Sequence, residues 1–458
     1  MMRLAIVGGG AAGLSAAYYA RQAAPDLEIT LLEADTRLGG KITTVLEGGF
    51  VLEGGPDAVV RYKPWALALM QDLGLEADLV STLPARPSAL IHNGREALPI
   101  PPGLQMVVPG DLGALARSPL LSPFGKARAA LDLLIPKGPS HDEAFGRFIK
   151  RRLGRQVWER LVAPLSGGIY GGDPAELSTL AAFPQLKALE QEHGSLIRGA
   201  MAQRKKRGTR EAGQLFASLK SGLGGLVEAL QARLEGVHIR LGASVTGLER
   251  AHTWRIHTPE GTLEAEALVL TTPAGVTGSL LETLHPEAAA ALRQIPYGES
   301  ATVSLAFDKK QIPPRVGHGL LMAANQGFAA RGFTWTDQKW SGRAPEGLAL
   351  VRAYFSGISV PEPELIRLAL QDLHRLWGKA PHPLHTWVFR WPEGLPRYTL
   401  GHQARVERAL RAEELPGLFL AGAAYYGVGL PEVIRMGQSA AHKAVGFLQG
   451  ISRVQVPI

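Results

Sequence analysis

The first 33 residues carry the pattern that restricts the fold of this chain most. An apolar run, a glycine-rich turn at residues 8–13, an alanine-rich stretch at residues 14–24 and a second apolar run follow one another and end at Glu33. Their periodicities predict strand, turn, helix and strand. The turn has the spacing Gly-x-Gly-x-x-Gly, and Glu33 lies 20 residues after its last glycine, Gly13. This combination is typical of a Rossmann-like unit that binds a dinucleotide.

Each part of this unit has a physical role in holding a dinucleotide. Gly8 turns the chain, Gly10 admits the pyrophosphate, and Gly13 lets the helix and the strand touch. Glu33 stands where a carboxylate binds a ribose hydroxyl, which argues against NADP because of its 2′-phosphate.

Two further glycine-rich loops follow at residues 37–41 and 54–57. Backbone can approach a long ligand closely only where side chains are missing. A nicotinamide domain needs no such series of loops, so they favour FAD over NAD. For either loop alone, an ordinary surface turn remains the alternative.

A matching pattern lies near the other end of the chain, at residues 418–434. It predicts a buried apolar strand, a glycine-rich turn and the first turn of a helix. The start of a helix offers free backbone N–H groups and the positive end of the helix dipole. We predict that this turn supports the redox ring of a flavin.

Composition limits the remaining possibilities. A chain of 458 residues exceeds one hydrophobic core, so we expect two or three domains. The absence of cysteine excludes disulfides, thiolate metal sites, thiol nucleophiles and a flavin tethered through cysteine. No metal site is predicted. The net charge of +8 favours an anionic partner, such as a membrane surface or an acidic substrate, although solubility alone also explains it.

Charge runs and apolar runs bear on partners and location. The basic run at residues 204–207 lacks interleaved aromatic residues, so it indicates a solvated face and not a nucleic-acid site. Glycines interrupt the apolar start, which argues against a signal peptide. The two longest uncharged runs, residues 4–20 and 415–431, are too rich in glycine to span a membrane convincingly. We expect a cytoplasmic protein.

The middle of the chain predicts a second domain. Four strand-like runs near residues 300–307, 318–323, 332–336 and 347–355 indicate an antiparallel sheet. Before these runs, the sequence predicts a helix ending near Gly74, a hairpin over residues 85–100, one strand over 237–248 and two strands over 253–270. After them, it predicts a helix over residues 363–377. Residues 101–140 mix prolines with apolar stretches and suit a lipid interface, a roof over an apolar cavity or an irregular insertion.

Several of these motifs together resemble a known family, the flavin-dependent protoporphyrinogen/coproporphyrinogen oxidases of haem biosynthesis. The resemblance is carried by residues 8–13, 33–41, 55–57, 164–178 with Phe183-Pro184, 391–402 and 420–431. The first and last motifs are shared with amine oxidases and carotenoid desaturases. Residues 164–178 and 391–402 are similar to the porphyrinogen enzymes more specifically.

The resemblance implies an α/β fold: a Rossmann-like FAD-binding domain built from discontinuous segments, an α+β substrate domain with an antiparallel sheet, and a helical insert. The FAD-binding domain would comprise residues 1–66, 209–290 and 391–458. The substrate domain would comprise residues 67–101, 170–208 and 291–390, and the insert residues 102–169. The family's insert often meets the membrane, which implies peripheral contact with the inner face of the membrane.

The resemblance also implies which residues contact a non-covalently bound FAD. These are Gly8, Gly9, Gly10, Ala11, Ala12, Gly13, Glu33, Ala34, Arg37, Gly39, Gly40, Lys41, Gly55, Pro56, Asp57, Ala58, Val245, Trp391, Gly422, Val428, Gly429 and Leu430. Arg61 and Lys63 are the first candidates to hold substrate carboxylates, with Arg390 and Arg397 behind them, and Gly171 would offer a carbonyl to a pyrrole N–H.

The implied activity is the six-electron oxidation of a porphyrinogen to a porphyrin, with oxygen as acceptor and hydrogen peroxide as product. The substrate is coproporphyrinogen III, protoporphyrinogen IX or both. We assign no catalytic base, because a porphyrinogen is electron-rich and its aromatisation is favourable. A further implied partner is the next enzyme of haem biosynthesis.

Two alternatives stay open at this point. An amine oxidase would need an aromatic cage at the flavin, but Leu430-Pro431 occupies the part of the motif where such enzymes place an aromatic residue. A flavin-binding partner protein without turnover would share every cofactor motif. A hydrocarbon desaturase is disfavoured, because the basic residues near the flavin would then have no function.

Overall fold

The computed structural model describes residues 2–105, 107–167, 172–207 and 215–450. At its centre lies a parallel sheet of five strands. In spatial order the strands are Val237–Arg240, Glu28–Leu32, Arg3–Val7, Ala267–Leu270 and Leu418–Leu420. Both faces are covered, as parallel sheets require, and the strand Ala267–Leu270 is buried along its whole length. Segments from both ends and the middle of the chain therefore build one Rossmann-like domain, which confirms the predicted fold class.

One strand prediction was wrong. Residues 237–248 were expected to form a single strand, but the structure contains two strands in different sheets. Val237–Arg240 joins the parallel sheet, whereas Gly247–Arg250 pairs with Trp254–Thr258 in a small antiparallel sheet. The chain turns at Gly242, whose φ is +69°, a conformation that ends the strand.

A second sheet has seven strands and is antiparallel except for one pair. In spatial order its strands are His385–Pro396, Tyr297–Asp308, Leu348–Ser356, Gly332–Trp335, Gly319–Met322, Leu90–His92 and Ala97–Pro99. The four predicted strands and the hairpin are confirmed. The long strand His385–Pro396 was not predicted, because most of its residues are half-buried and give no clear apolar alternation.

The two faces of the seven-stranded sheet differ in chemistry. Val351 and Ala353 belong to the apolar face, which packs under the helix Glu362–Trp377. The opposite face carries Ser304 and Arg352, which are register partners on neighbouring strands. This polar face is turned towards the loop at residues 54–57, because Arg352 donates a hydrogen bond to the carbonyl of Gly55.

A third region, which we call the helical lobe, consists of the helices between Leu112–Arg117 and Leu196–Arg207. It has its own apolar core, with Phe145 and Phe148 among its fully buried side chains. A buried ion cluster lies beside this core. Its pairs are Arg152 with Asp132, Lys187 with Glu143 and Glu190, and Arg151 with Glu143 and Glu190. The domain boundaries expected from the resemblance stay a prediction.

The remaining strands are Thr44–Glu47, Phe50–Glu53, Val59–Val60, Leu79–Ser81, Leu104–Gln105, Val108–Pro109, Phe216–Leu219 and Gly261–Ala265. The α-helices are Ala11–Ala23, Pro64–Asp72, Leu112–Arg117, Pro123–Ala130, Phe145–Leu153, Arg155–Val157, Ala163–Ser166, Thr179–Ala182, Pro184–His193, Leu196–Arg207, Gly224–Ala232, Ala274–Leu280, Pro286–Arg293, Thr336–Lys339, Glu362–Trp377, His402–Leu410 and Leu430–Leu448. Within the described part of the chain, no helix has the length and apolar composition that a membrane crossing requires.

Candidate functional site

The first glycine loop, residues 8–13, joins the strand Arg3–Val7 to the helix Ala11–Ala23. A Cβ atom on Gly13 would overlap the carbonyl oxygen of Gly8, so only glycine lets the helix lie this close to the strand. Gly10 caps the helix, and a Cβ atom placed there would meet nothing within 4 Å. The loop thus leaves open space at a helix N-terminus, which fits the pyrophosphate of a dinucleotide.

Glu33 lies beside this loop. One oxygen of its carboxylate accepts a hydrogen bond from the N–H of Gly9, and the other accepts from the N–H of Asp35 at 2.8 Å. Its own carbonyl accepts from the N–H of Ala243 at 2.8 Å, which brings the half-buried Val245 to the same edge of the sheet. The carboxylate predicted to bind ribose is therefore placed next to the loop predicted to bind pyrophosphate.

The second and third glycine loops pack on the first. The N–H of Gly39 donates to the carbonyl of Gly9 at 2.9 Å. Arg37 donates to the carbonyl of Gly40 at 2.7 Å, so its side chain holds the loop in shape. A Cβ atom on Gly55 would overlap the carbonyl of Lys41, which means that the third loop touches the second through bare backbone. Together the loops form one continuous backbone surface.

The seven-stranded sheet lies against the third loop. The indole N–H of Trp391 donates to the carbonyl of Gly54 at 2.9 Å, and the ring of Phe389 packs over the same glycine. Pro56 and Ala58 are half-buried at this contact. Trp391 therefore reaches the predicted cofactor loop from the seven-stranded sheet, and its contact with the cofactor stays a prediction.

Five charged side chains lie where this sheet meets the third loop. We call them the charged hub: Glu53, Asp57, Lys339, Arg343 and Arg352. Lys339 pairs with Asp57 at 2.6 Å, and Arg343 lies 3.9 Å from Glu53. Burial alone would raise the pKa of Asp57, but Lys339 and Arg352 lower it to about 2. Asp57 is thus an anchor between the two domains as well as a predicted cofactor contact.

Lys41 occupies a different electrostatic setting. Burial lowers the pKa of its ammonium group, and the nearby Glu393 opposes that shift only partly. A buried cation of this kind is better stabilised by an anionic ligand than by water. Its position on the second loop supports the predicted contact with the cofactor.

The C-terminal turn, residues 422–430, is held by Tyr398. The Tyr398 hydroxyl donates to the carbonyl of Ala423 at 2.6 Å and accepts from the N–H of Gly427 at 2.7 Å. Gly429 then caps the helix Leu430–Leu448. Val428 packs against the core of the helical lobe, and Leu430 against the core of the nucleotide domain. The turn is therefore fixed where these two regions meet.

His402 supports Tyr398 from behind. The two rings stack with centroids 3.8 Å apart and an interplanar angle of 15°. Burial lowers the pKa of His402 to about 4, so the imidazole is neutral at pH 7. Its Nε2 atom lies 3.4 Å from the carbonyl of Tyr425, which assigns this ring to structure and not to proton transfer.

Thr271 links the two ends of the chain. Its hydroxyl donates to the carbonyls of Val7 and Gly8, at 2.9 and 3.0 Å. A Cβ atom on Gly422 would lie 3.6 Å from the Thr271 carbonyl. Thr271 thus contacts the first glycine loop and lies beside the C-terminal turn. The sequence contained no signal for this role beyond its place at the end of a buried strand.

The predicted substrate cations have different surroundings. Lys63 forms an ion pair with Glu432, Arg397 with Glu176, and Arg390 with Glu299 at 2.8 Å. Arg390 also lies on the face of its strand opposite to that of Trp391. Gly171 lies outside the described residues.

Arg61 and Arg435 stand apart from these pairs. Arg61 donates to the hydroxyl of Ser81 at 2.8 Å, and within the described ranges it makes no carboxylate pair. Arg435 was not predicted. Its guanidinium lies over the ring of Trp65, 4.4 Å from the ring centroid. The pKa of Lys63 is lowered mainly by burial and further by the positive charge of Arg435. A cation inside an amphipathic helix gave no sequence signal.

Comparisons with known proteins agree with this geometry. The sequence pattern of the family "flavin containing amine oxidoreductase" matches residues 11–445. The chain is 35% identical to the coproporphyrinogen III oxidase of Bacillus subtilis, over 97% of this chain and 98% of that protein. The chain belongs to the porphyrinogen oxidases of this flavin-dependent family. It is also 32% identical to the chloroplastic protoporphyrinogen oxidase of Nicotiana tabacum, over 97% and 85% of the two chains.

Solved structures place this porphyrinogen oxidase in the same fold. The crystal structure of a candidate protoporphyrinogen oxidase from Exiguobacterium sp. matches with a TM-score of 0.86 and 36% identity, over 97% of this chain and 98% of that chain. Cyclohexylamine oxidase from Brevibacterium oxydans has a TM-score of 0.72 but only 17% identity, over 99% and 100% of the two chains, so it shows the fold alone. A flavin is the cofactor of this porphyrinogen oxidase, and the open space at Gly10 leaves backbone free for it.

Proposed function

We propose that this flavoenzyme oxidises a porphyrinogen to the corresponding porphyrin, using non-covalently bound FAD and oxygen. The observation that carries the proposal is the 35% identity to a coproporphyrinogen III oxidase over nearly the whole of both chains. The overall reaction consumes three molecules of oxygen for each porphyrinogen and releases three of hydrogen peroxide, which balances the six electrons and six hydrogens removed.

FAD is favoured over a smaller flavin by the nucleotide end of the site. The first glycine loop and Glu33 suit a pyrophosphate and a ribose. FMN has neither group, because it ends in a single phosphate on a ribityl chain. The chain contains no cysteine, so a cysteinyl tether to the flavin is excluded. Ala11, Ala12, Ala34 and the other predicted residues in and around the three loops are proposed cofactor contacts on the same grounds.

When bound, the flavin would supply the redox chemistry by accepting one hydride from the porphyrinogen in each two-electron step and passing the electrons to oxygen. The protein contributes orientation and charge. The N-terminus of the helix Leu430–Leu448 lies at the C-terminal turn, where its positive end favours negative charge. Tyr398 holds this turn through two hydrogen bonds, so the position of the helix start is fixed.

No side chain of the site is assigned as a catalytic base. His402 is neutral but is engaged with Tyr398 and the Tyr425 carbonyl. Asp57 is held ionised by Lys339, and its low pKa makes it a weak base. The proposal needs no base, because aromatisation of the macrocycle drives proton loss from its pyrrole nitrogens.

Arg61 and Lys63 are our proposed partners for substrate carboxylates. They follow the third glycine loop directly, and Arg61 makes no carboxylate pair within the described ranges. A carboxylate that binds Lys63 must compete with Glu432. Arg390 and Arg397 are weaker candidates because each already has a carboxylate partner on the protein.

The direct test is anaerobic reduction of the purified yellow protein. Coproporphyrinogen III and protoporphyrinogen IX are added side by side, and the loss of flavin absorbance is followed. We expect rapid bleaching by at least one of them, then porphyrin fluorescence and one peroxide per two electrons when oxygen is admitted. The faster of the two identifies the preferred substrate. Bleaching by neither would contradict the proposal and favour a flavin-binding protein without turnover, and bleaching by a simple amine would favour an amine oxidase.

We also propose that the helical lobe makes a peripheral contact with the cytoplasmic face of a membrane. Phe124 is 83% exposed, Leu134 78% and Leu131 47%. Their spacing of seven and three residues places them on one side of the helix Pro123–Ala130 and the turn that follows it. An exposed apolar stripe on a chain of charge +8 suits an anionic lipid surface.

Vesicle sedimentation tests this contact. We expect the protein to pellet with vesicles that contain anionic lipid, and a variant with Phe124→Ser and Leu134→Ser to remain in the supernatant. Phe447→Ser, at an exposed position on the C-terminal helix, is the matched control and should pellet normally. Equal pelleting of the double variant would contradict the proposed contact.

A further inference from the structure

The charged hub has an imbalance of charge. It contains two carboxylates, Glu53 and Asp57, and three cations, Lys339, Arg343 and Arg352. Glu53, Arg343 and Arg352 are buried, and the other two are largely covered. Even with both carboxylates ionised, one positive charge is uncompensated. A charge in this setting acts over a longer range than one in water.

Hydrogen bonds locate the surplus charge on Arg352. Lys339 is bound to Asp57, and both terminal nitrogens of Arg343 donate to Ser218 and to backbone carbonyls. Arg352 makes a single hydrogen bond, from Nη2 to the carbonyl of Gly55 at 2.6 Å. Its Nε and Nη1 atoms are buried and have no hydrogen-bond partner within the described residues.

The nearest aromatic ring does not remove this imbalance. The guanidinium of Arg352 lies over Tyr354, 4.9 Å from the ring centroid. That contact stabilises the cation through its flat face, whereas the N–H groups lie in the guanidinium plane. Buried charged donors normally find acceptors, so a cation kept in this state points to a ligand that completes the site.

The position of Arg352 indicates what that ligand is. Its one hydrogen bond holds Gly55 of the third glycine loop. The backbone of Gly55 packs against the carbonyl of Lys41 in the second loop. The loop at residues 54–57 is also held by Trp391, from the same sheet, and by Lys339, from the helix Thr336–Lys339. Arg352 therefore belongs to the flavin site, although it lies almost 300 residues from the loop in sequence.

We propose that Arg352 is a positioning residue of the flavin site. Its hydrogen bond fixes the Gly55 carbonyl, and its uncompensated positive charge stabilises reduced flavin relative to oxidised flavin. A reduced flavin is richer in electrons than an oxidised one, so a nearby cation in a poorly hydrated site stabilises it preferentially. This inference rests on the FAD site proposed above but not on the identity of the substrate.

Redox titration of the FAD-loaded protein without substrate tests the charge. In Arg352→Gln the ratio of reduced to oxidised flavin at a fixed potential should fall about tenfold, which is about 30 mV for a two-electron couple. In Arg352→Lys the charge remains, so the potential should stay close to that of the unmodified protein. The dissociation constant of FAD should rise about tenfold in Arg352→Lys, because the shorter lysine side chain loses the hydrogen bond that Nη2 donates to the Gly55 carbonyl.

Arg315→Gln is the matched control. Arg315 is a buried arginine of the same domain, but its two terminal nitrogens bind Asp337 at 2.8 and 2.9 Å. This variant should lose stability and keep both the potential and the affinity for FAD. A similar change of potential in Arg315→Gln would show that the effect is general unfolding and would overturn the inference.

Each other outcome is decisive as well. An unchanged potential in Arg352→Gln overturns the electrostatic role, and an unchanged dissociation constant in Arg352→Lys overturns the positioning role. If Arg352→Gln does not fold, the lysine variant decides: retained potential with weaker FAD binding supports the inference, and a potential that falls contradicts it. Failure of the unmodified protein to bind FAD would instead contradict the proposed cofactor.

Discussion

Lys63 forms an ion pair with Glu432, which lies 369 residues later in the chain and in the first turn of the helix Leu430–Leu448. The Lys63 side chain is 31% exposed, and that of Glu432 is 12% exposed. A carboxylate in the first turn of a helix is stabilised by the helix dipole. The pair therefore ties a predicted substrate cation to the helix that begins at the C-terminal turn.

The first prediction concerns substrate binding by Arg61 and Lys63. Changing both to Ala should raise the KM for coproporphyrinogen about tenfold and lower kcat much less, because the lost contacts bind carboxylates remote from the reacting carbon. Steady-state kinetics with measured peroxide release provides both constants. Arg367→Ala, which breaks a surface pair with Glu364, is the control and should change neither constant. An unchanged KM in the double variant would reject the assignment.

The second prediction concerns the nucleotide end of the site. Glu33→Ala should release FAD on dilution, since it removes the proposed ribose contact and also the acceptor for the Gly9 N–H. We expect the dissociation constant to rise at least about tenfold, measured by the fluorescence of released flavin. Asp35→Ala alters a neighbouring exposed carboxylate and should retain FAD normally. Full retention of flavin by Glu33→Ala would count against the role of this carboxylate.

The third prediction concerns the C-terminal turn. Tyr398→Phe removes the acceptor of the Gly427 N–H and the donor to the Ala423 carbonyl. These groups are partly buried, so leaving each of them unpaired costs up to about 1–3 kcal/mol. We therefore expect a lower free energy of unfolding in urea and an altered absorption spectrum of the bound flavin. Tyr426→Phe, within the same turn but 38% exposed, should show neither effect. A flavin spectrum unchanged in Tyr398→Phe would separate this turn from the flavin ring.

The fourth prediction concerns stability at low pH. Burial alone would raise the pKa of Glu143 and of Glu190, but hydrogen bonds from Arg151 and Lys187 lower both below 4.5. A carboxyl whose pKa is lower in the folded state stabilises the fold above the unfolded pKa, near 4.5, and that stabilisation is lost as the pH falls through the folded pKa. The helical lobe should therefore lose stability below about pH 4.5.

Urea unfolding across this pH range measures the effect. In Glu143→Gln the free energy of unfolding at pH 7 should be lower, and its decline between pH 5 and pH 3 should be shallower than in the unmodified protein. Glu364→Gln removes an exposed carboxylate that also has a lowered pKa, and it should change the profile little because solvent screens that pair. An equally steep decline in Glu143→Gln would contradict the role of the buried cluster.

Local patterns correctly predicted the strand, helix and strand at the start of the chain. The glycines of residues 8–13 and the acid at Glu33 act through backbone conformations and spacings of a few residues, and these are visible in sequence. The four strands of the second sheet were found because each contains a largely apolar, buried run. The strand His385–Pro396, with mostly half-buried residues, had no such pattern and was missed.

The sequence by itself therefore determined the fold class, the flavin family and the glycine loops proposed to hold the nucleotide. Tertiary structure alone decided which charges meet. Arg352 reaches Gly55 only because the register of the seven-stranded sheet places it there, and Lys63 pairs with Glu432 only because the two ends of the chain share one domain. The reason is physical: a glycine turn is defined by neighbouring residues, whereas the partner of a buried charge depends on contacts between segments hundreds of residues apart.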